Sequence, residues 1–289
     1  MRIGVFDSGL GGLLVAQSIV RRLPQYDYLY LGDTKRVPYG NRSQETIHEF
    51  LGEALDYLFN HECQLIIIAC NTASAEALRK SQQEYLPRNY PDRRILGVVI
   101  PMAEAAIESL ESPEDRPAST PPSPSGDFPQ EWGKIPEPRI GVIATASTVE
   151  SGAYVRELNR VHPGAVAIQN AAPLLVPLVE NDGFAYVGPV LDDYLAPLRK
   201  EGIQSLILGC THYAALKDQI RAKVTVPVIS PDEVVPEKLA DYLARHPEIE
   251  SKLAKTGART YEVTDLTDTY YALARRLAGE EVDLKLTSM

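Results

Sequence analysis

The sequence predicts an α/β fold of two pseudo-symmetric, doubly wound parallel-sheet domains with the active site between them. Three observations lead to this prediction. Short apolar segments alternate with segments of helical spacing, which is typical of parallel sheets covered by helices. Each half of the 289-residue chain contains an apolar segment that runs into a cysteine, at Gln64–Thr72 and at Gln204–His212. Arg2–Val5 also recurs as Arg139–Val142, and repetition over such a distance indicates two copies of one folding unit.

The pattern of the first half predicts four strands connected by helices. The expected strands are Ile3–Asp7, Tyr28–Leu31, Leu65–Ala69 and Ile95–Ile100. The turn Ser8–Gly12 leads into a helix that ends near Arg22, and further helices are expected at Gln44–Asn60 and Ala73–Glu84. This β-α-β-α-β-α-β order builds a doubly wound sheet.

The second half repeats this order and adds a C-terminal segment. The expected strands lie near Ile140–Ala144, Ala165–Gln169, Ser205–Leu208 and Val226–Ile229. The expected helices lie near Ser151–Val161, Gly183–Lys200 and Ala214–Lys223. From Glu233 onward we expect helices that pack back on the first half. The predicted domains are therefore residues 1–101 together with 230–289, and residues 102–229.

A proline-rich segment at about residues 111–138 separates the two halves, within the second predicted domain. It holds eight of the 22 prolines of the chain in 28 residues. Such a segment has too few apolar residues to offset the entropy lost on ordering. We expect a flexible surface insertion, and the alternative is a proline-rich ligand for a partner domain.

Composition restricts the class of protein and its partners. The net charge of −10 argues against nucleic acid or an anionic membrane as the main partner, although a small anion remains possible. No apolar run approaches the roughly 20 residues that span a bilayer, and the N-terminus lacks the pattern of a signal peptide. Three cysteines do not suit a disulfide framework. We therefore expect a cytoplasmic protein with reduced thiols.

The two repeated cysteines, Cys70 and Cys210, are the candidate catalytic residues. Each follows a predicted buried strand and precedes a predicted helix, which is where open α/β sheets bind ligands. Amide groups at a helix N-terminus favour anions and lower the pKa of a thiol. Two thiols at equivalent points of two halves suggest two acid/base groups that face one substrate. Asp7 is the candidate helper of Cys70, and His212 and Glu180 are those of Cys210.

Hydroxyl and amide side chains surround these predicted strand ends. Such groups bind a carboxylate without adding positive charge, and they also cap helices. The candidates are Ser8, Asn71, Thr72, Thr148 and Thr211.

Competing chemistries explain fewer of these residues. There is no Cys-x-x-Cys redox motif, and the five histidines lack metal-ligand spacing. Cys63 lies before the predicted strand and is expected to pack in the core. The turn after Asp7 has neither the lysine of a phosphate-binding loop nor a dinucleotide fingerprint. A cysteine nucleophile with His212 as its base, as in an amidase or thiol transferase, remains an alternative. It leaves the second cysteine unexplained. A binding module with packed thiols is the non-enzymatic alternative.

The chain resembles the glutamate racemases of the aspartate/glutamate racemase superfamily over nearly its whole length, apart from the proline-rich insertion. The motifs that carry this resemblance are Asp7–Gly12, Asp33-Thr34, Pro38-Tyr39-Gly40, Ala69–Ala73, Thr145 and Thr148 before Ser151–Tyr154, Pro173-Leu174, Pro177–Glu180 and Gly209–His212. The family commonly has proline where Ala214 stands and often cysteine where Ala172 stands, and the insertion is unusual for it.

The resemblance implies the roles of these residues. Cys70 and Cys210 would be the two catalytic bases of a racemase that needs no cofactor or metal, assisted by Asp7, Glu180 and His212. The implied substrate-binding residues are Asp7, Ser8, Pro38, Tyr39, Gly40, Cys70, Asn71, Thr72, Thr148, Cys210, Thr211 and His212. Aspartate racemases usually carry glutamate at the position of His212, so glutamate is the expected substrate, with aspartate or a related amino acid as the alternative. The product would be D-glutamate for peptidoglycan, and a homodimer is expected.

Overall fold

The computed structural model describes residues 1–110, 137–278 and 282–289. These residues form ten strands, and those of each sheet pair in parallel. The strands are β1 (Arg2–Asp7), β2 (Tyr28–Gly32), β3 (Cys63–Ile68), β4 (Arg94–Gly97), β5 (Arg139–Ala144), β6 (Val166–Ala171), β7 (Ser205–Gly209), β8 (Val228–Ile229), β9 (Arg259–Val263) and β10 (Leu284–Leu286). The predicted insertion lies almost entirely outside the described residues.

Helices connect the strands and cover the sheets. They are α1 (Gly12–Arg22), α2 (Gln44–Asn60), α3 (Asn71–Glu76), α4 (Leu78–Lys80), α5 (Leu86–Asn89), α6 (Val99–Glu108), α7 (Ala146–Glu150), α8 (Ala153–Val161), α9 (Leu175–Glu180), α10 (Val187–Lys200), α11 (Lys217–Arg221), α12 (Pro231–Arg245), α13 (Pro247–Glu250) and α14 (Asp268–Ala278). Short 3₁₀ turns lie at Tyr39–Asn41, Phe184–Tyr186 and Thr211–Leu216, and a π turn lies at Ser81–Tyr85.

The second sheet repeats the strand order of four neighbouring strands of the first, β2-β1-β3-β4, as the duplicated sequence predicts. The first sheet runs β10-β9-β2-β1-β3-β4, and the second runs β6-β5-β7-β8. In each sheet the strand before a repeated cysteine pairs with the first strand of its half: Ile68 pairs with Phe6, and Gly209 pairs with Ala144. Cys70 and Cys210 therefore lie at equivalent carboxyl ends of two parallel sheets. The predicted α/β class with two parallel-sheet units is confirmed.

Alternating side chains of the central strands enter different cores. Phe6 of β1 packs with α2 residues such as Leu51 and Leu55 on one face of the first sheet. Ile3 and Val5, from the same strand, lie in a larger core that includes residues of both halves. A third core lies between α6, α8 and the second sheet. The shared core places the two sheets in one packed body.

Two strand predictions were wrong at their ends. The strand expected to reach Ile100 ends at Gly97, and Val99 begins α6. Ser74 Oγ accepts the Val98 N–H at 3.1 Å, and a side chain at Gly97 would collide with Ser74 and Leu78. This crowding turns the chain away from the sheet. The strand expected at Val226–Ile229 is shorter and begins at Val228.

The prediction of helix from Glu233 to the C-terminus was also wrong. After α12 and α13, β9 pairs with β2 through Tyr261 opposite Tyr30, and β10 pairs with β9. An isolated strand with the polar residues of Arg259–Val263 gives a weak signal, because its stability comes from pairing with the sheet edge. The C-terminal segment thus extends the first sheet.

Candidate active site

A cavity of about 290 Å³ lies at the carboxyl ends of β3 and β7, and residues of both halves form its wall. The wall contains both repeated cysteines, Cys70 and Cys210. They are 5% and 7% exposed respectively. Most of the predicted site residues line it with them, namely Ser8, Pro38, Tyr39, Gly40, Asn71, Thr72, Glu180, Thr211 and His212. The sequence therefore identified most of this cavity wall.

Cys70 is held by two small hydrogen-bonding groups. Its backbone precedes α3, and its Sγ accepts the Ala73 N–H at 3.4 Å. The thiol donates to Ser8 Oγ at 3.2 Å. Burial, together with the negative charge of Asp7, raises the pKa of Cys70 to about 12, although the Ser8 and Ala73 contacts oppose this shift. Cys70 therefore holds its proton at pH 7.

Cys210 has an imidazole beside it. Its Sγ lies 3.9 Å from His212 Nδ1, and His212 Nε2 lies 3.1 Å from Glu180 Oε1. The second contact has the distance of an ion pair, but the N–H is not aligned for a hydrogen bond. Burial lowers the pKa of His212, but its contacts with Cys210 and Glu180 outweigh this and raise the pKa well above its usual value. A protonated His212 places positive charge next to Cys210 Sγ.

Asp7 is fully buried and does not form part of the cavity wall, and its negative charge raises the pKa of Cys70. Its Oδ2 accepts the N–H groups of Gly9 and Gly12 at 3.1 and 3.0 Å, and its Oδ1 accepts the Thr211 hydroxyl at 3.2 Å. Asp7, the candidate helper of Cys70, thus forms its hydrogen bonds with the turn after β1 and with Thr211. Burial raises the pKa of Asp7, although the positive charge of His212 and these hydrogen bonds partly lower it.

The glycine-rich turn after Asp7 is needed for close approach. A Cβ at Gly11 would lie 2.6 Å from both His212 Nδ1 and Thr211 Oγ1, and a Cβ at Gly12 would lie 2.4 Å from Asp7 Cβ. Atoms do not approach so closely, so any larger residue would displace these side chains. This explains why the turn carries glycines without being a phosphate-binding loop.

Three threonine hydroxyls join the halves at the cavity. Thr72 Oγ1 lies 3.0 Å from Thr145 Oγ1 and 3.3 Å from Thr148 Oγ1, and the Thr145 hydroxyl donates to Thr148 at 3.0 Å. Thr148 is fully buried behind the cavity wall, and its hydroxyl is engaged in this cluster. Its contact with the substrate stays a prediction. Thr145 forms part of the wall.

A 3₁₀ turn brings Pro38, Tyr39 and Gly40 to the wall. The Tyr39 hydroxyl donates to Asp33 Oδ2 at 2.5 Å, and Asp33 also receives hydrogen bonds from Arg36 and Thr264. Gly40 has no space for a side chain, since a Cβ there would lie 2.9 Å from Thr145 Cβ. The loop is therefore fixed to its own sheet and pressed against the other half.

Eight further residues of the wall were given no role from the sequence, although Thr145, Pro173 and Pro177 belong to the motifs of the family resemblance. These eight are Val37, Asn41, Thr145, Ala146, Pro173, Val176, Pro177 and Asn181. Thr145 had a usable signal, because a threonine between a strand and a helix is a cap, and its Oγ1 does accept the Thr148 N–H. Cys63, in contrast, packs in the core as predicted.

Within residues 1–110, 137–278 and 282–289, no helix combines the length and the apolar character needed to cross a membrane. The same ranges contain no group of three or more histidine, cysteine, aspartate or glutamate side chains placed to hold a metal ion.

Comparison with known proteins defines the class of this two-sheet fold and its site. The profile of the Asp/Glu/hydantoin racemase family matches residues 134–237. A glutamate racemase of Dinoroseobacter shibae is 34% identical over 270 residues, which cover 90% of each chain. A crystal structure of a glutamate racemase isoform from Bacillus anthracis is similar, with a TM-score of 0.81 and 30% identity over 100% of this chain and 97% of that one.

A structure of the Francisella tularensis glutamate racemase in complex with D-glutamate has the same TM-score of 0.81. It shares 27% identity over 99% of this chain and 97% of that chain. The chain described here therefore belongs to the glutamate racemases of the Asp/Glu/hydantoin racemase family. It is an isomerase.

Proposed function

We propose that this protein interconverts L- and D-glutamate by proton transfer at the α-carbon, with Cys70 and Cys210 as the two bases and without a cofactor. The observation that carries the proposal is the presence of both thiols in the wall of one cavity, at equivalent strand ends of the two halves.

In the proposed reaction, one cysteine acts as a thiolate and the other as a thiol. The thiolate removes the α-proton from one face of the substrate, and the opposite thiol donates its proton to the other face. The α-carbon is inverted, and the two sulfurs exchange protonation states. The reverse reaction uses the same groups with exchanged roles, which accounts for equivalent cysteines in two halves of one fold.

The chief energetic difficulty is the ionisation of Cys70. With a pKa of about 12, forming its thiolate at pH 7 costs about 7 kcal/mol. The positive ammonium group of a bound amino acid would oppose this cost. On the other side, the contacts of His212 with Cys210 and Glu180 raise the pKa of the imidazole, so His212 places positive charge beside Cys210 Sγ.

The transition state gathers negative charge on the substrate carboxylate, and hydrogen-bond donors must stabilise it. Asn71, Thr72 and Thr145 line the cavity between the cysteines and supply uncharged donors. Ser8 and Thr211 lie on the same wall. These hydroxyl and amide groups can bind the substrate carboxylate without adding a permanent positive charge, as expected from the sequence.

Glutamate is the proposed substrate because the relatives similar to this chain are glutamate racemases, one of which was solved with D-glutamate. The presence of His212, where the aspartate enzymes usually carry glutamate, agrees with this choice. We further propose that the product supplies peptidoglycan synthesis in the cytoplasm and that the enzyme is a homodimer.

The direct experiment is circular dichroism of L- and of D-glutamate incubated with the protein in the absence of pyridoxal phosphate. Both samples should converge on the racemic mixture, since enantiomers have equal energy. Aspartate should racemise much more slowly. Release of ammonia from glutamine with no change in glutamate chirality would support a cysteine-nucleophile amidase instead, and binding of glutamate without α-proton exchange would support a binding module.

A further inference from the structure

Tyr154 connects the surroundings of the two cysteines. It lies on α8 in the second half and is fully buried. A Cβ at Gly209, the residue before Cys210, would lie 3.2 Å from its ring atom Cε2. The Tyr154 hydroxyl donates a hydrogen bond of 2.6 Å to Oδ1 of Asn71, the residue after Cys70. One side chain thus touches the polypeptide next to both proposed bases.

The amide of Asn71 has only one of its two ends engaged. Oδ1 accepts the hydrogen bond from Tyr154, whereas Nδ2 has no hydrogen-bond partner among the described residues. Asn71 is 2% exposed and forms part of the cavity wall. A buried N–H group without a partner is unfavourable. In a residue that lines a cavity, such a group indicates a ligand that supplies an acceptor.

Tyr154 determines which end of the amide is engaged. Burial, and next the charge of Cys210, raise the pKa of Tyr154, so its hydroxyl keeps its proton. A 180° rotation of the Asn71 amide would place the NH₂ group against this hydroxyl. The Tyr154 hydroxyl would then accept a hydrogen bond from the amide, and its own proton would no longer have the Asn71 oxygen as an acceptor. The observed orientation avoids that loss and leaves Nδ2 as the free donor.

We propose that Tyr154 is a positioning residue that fixes the Asn71 amide so that Nδ2 donates to a carboxylate oxygen of the substrate. This inference rests on the proposed racemase function and adds a residue to its substrate recognition. Tyr154 itself touches no reacting atom in this scheme. Because the carboxylate is present in the bound substrate and gains negative charge in the transition state, loss of the correct orientation weakens the binding of both.

The test is the variant Tyr154→Phe, which removes the hydroxyl and keeps the ring. KM for glutamate should rise about 10-fold in both directions, because a hydrogen bond to a charged group contributes on this scale, and kcat should fall as well, because the same donor stabilises the charge that develops on the carboxylate. Tyr28→Phe is the matched control, since Tyr28 is buried and its hydroxyl donates to the Leu23 carbonyl at 2.8 Å, away from the cavity. Tyr28→Phe should keep the KM of the wild type.

A double-mutant cycle separates positioning from a general structural effect. In an Asn71→Ala background, Tyr154→Phe should change KM less than about twofold, because the group that it orients is absent. An undiminished effect in that background, or an unchanged KM in Tyr154→Phe alone, would overturn the inference.

A second variant, Asn71→Asp, keeps an acceptor for Tyr154 but replaces the donor by a carboxylate, so it tests whether Asn71 lies against the substrate carboxylate. It should raise KM at least as much as Tyr154→Phe, and a wild-type KM would contradict the assignment. Racemisation by the wild type is measured in parallel, because its absence would instead refute the proposed function.

Discussion

Cys70 and Cys210 occupy matching places in the two sheets, yet the groups around them differ. Cys70 lies at the start of α3 with a serine hydroxyl and a backbone N–H as its partners. Cys210 lies at the start of a 3₁₀ turn, with an imidazole and a carboxylate beyond it. The duplicated fold therefore fixes where the thiols lie, and the non-duplicated residues determine how each thiol holds or releases its proton.

The largest expected effect tests the equivalence of the two positions. Cys70→Ser and Cys210→Ser should each lower racemisation by about 10³-fold or more, because a serine hydroxyl is a far weaker acid than a thiol and forms almost no anionic base at neutral pH. Each variant should still catalyse elimination from an amino acid with a leaving group on the β-carbon, since elimination needs one base. Coupled assays of both reactions measure this. Near-normal racemisation by either variant would rule out two essential bases.

The next prediction concerns the partners of Cys210. His212→Asn should lower kcat/KM by about 10²–10⁴-fold, the usual contribution of one acid/base group. The decrease must be equal in both directions because the equilibrium constant between enantiomers is one. Differences between directions can appear only in kcat and KM taken separately, and progress curves from each enantiomer measure them. Activity within about threefold of wild type would leave His212 with a structural role only.

The pH dependence of stability should differ between the two sides. The pKa of His212 is raised above 6.5 in the folded protein, so its stabilising contribution is complete below pH 6.5 and is lost as the pH rises through the folded value. The pKa of Cys70 is raised from 9.0 to about 12. Between about pH 9 and 12 the unfolded chain has lost this proton and the folded protein still holds it. The contribution of Cys70 to the free energy of unfolding therefore decreases only in that range.

Urea unfolding of three proteins tests this difference. The gap in unfolding free energy between wild type and His212→Asn should narrow as the pH rises above 6.5. The gap between wild type and Cys70→Ala should stay constant up to about pH 9 and narrow only above it. Identical pH windows for the two variants would show that the two sides are not electrostatically distinct.

The smallest effect is expected for the third cysteine. Cys63 is fully buried in an apolar core, and burial raises its pKa to about 12 as well. Cys63→Ala should cost about 1 kcal/mol of stability through a small cavity and leave both kinetic constants unchanged. Thermal unfolding and the racemisation assay measure the two quantities. A loss of activity without a loss of folded protein would mean that Cys63 contributes to the chemistry.

The sequence predicted elements with a strong local signal. The helix Gln44–Asn60 has the predicted bounds, because its apolar spacing is regular and Ser43 caps its first turn. The strands before the cysteines were found because buried parallel strands are continuous apolar runs. In contrast, β9 was missed because its strand state depends on pairing with β2 and not on its own composition.

The same distinction applies to the cavity. Cys70, Cys210 and the polar residues that follow them were predicted because they adjoin recognisable strands. The pairing of Asp7 with Thr211, 204 positions away, and the contact of Tyr154 with Asn71 arise only when the two sheets pack together. No local pattern encodes such contacts.

The central claim of opposed thiols is tested most directly by racemisation of L-glutamate in deuterated water, stopped during the first few per cent of conversion. The proton removed by one cysteine stays on that sulfur, whereas the hydrogen donated by the other comes from a thiol equilibrated with solvent. Mass spectrometry of the separated enantiomers should therefore find deuterium at the α-carbon of nearly all D-glutamate and of very little remaining L-glutamate. D-glutamate that retains the original proton would indicate a single base serving both faces and would contradict the account.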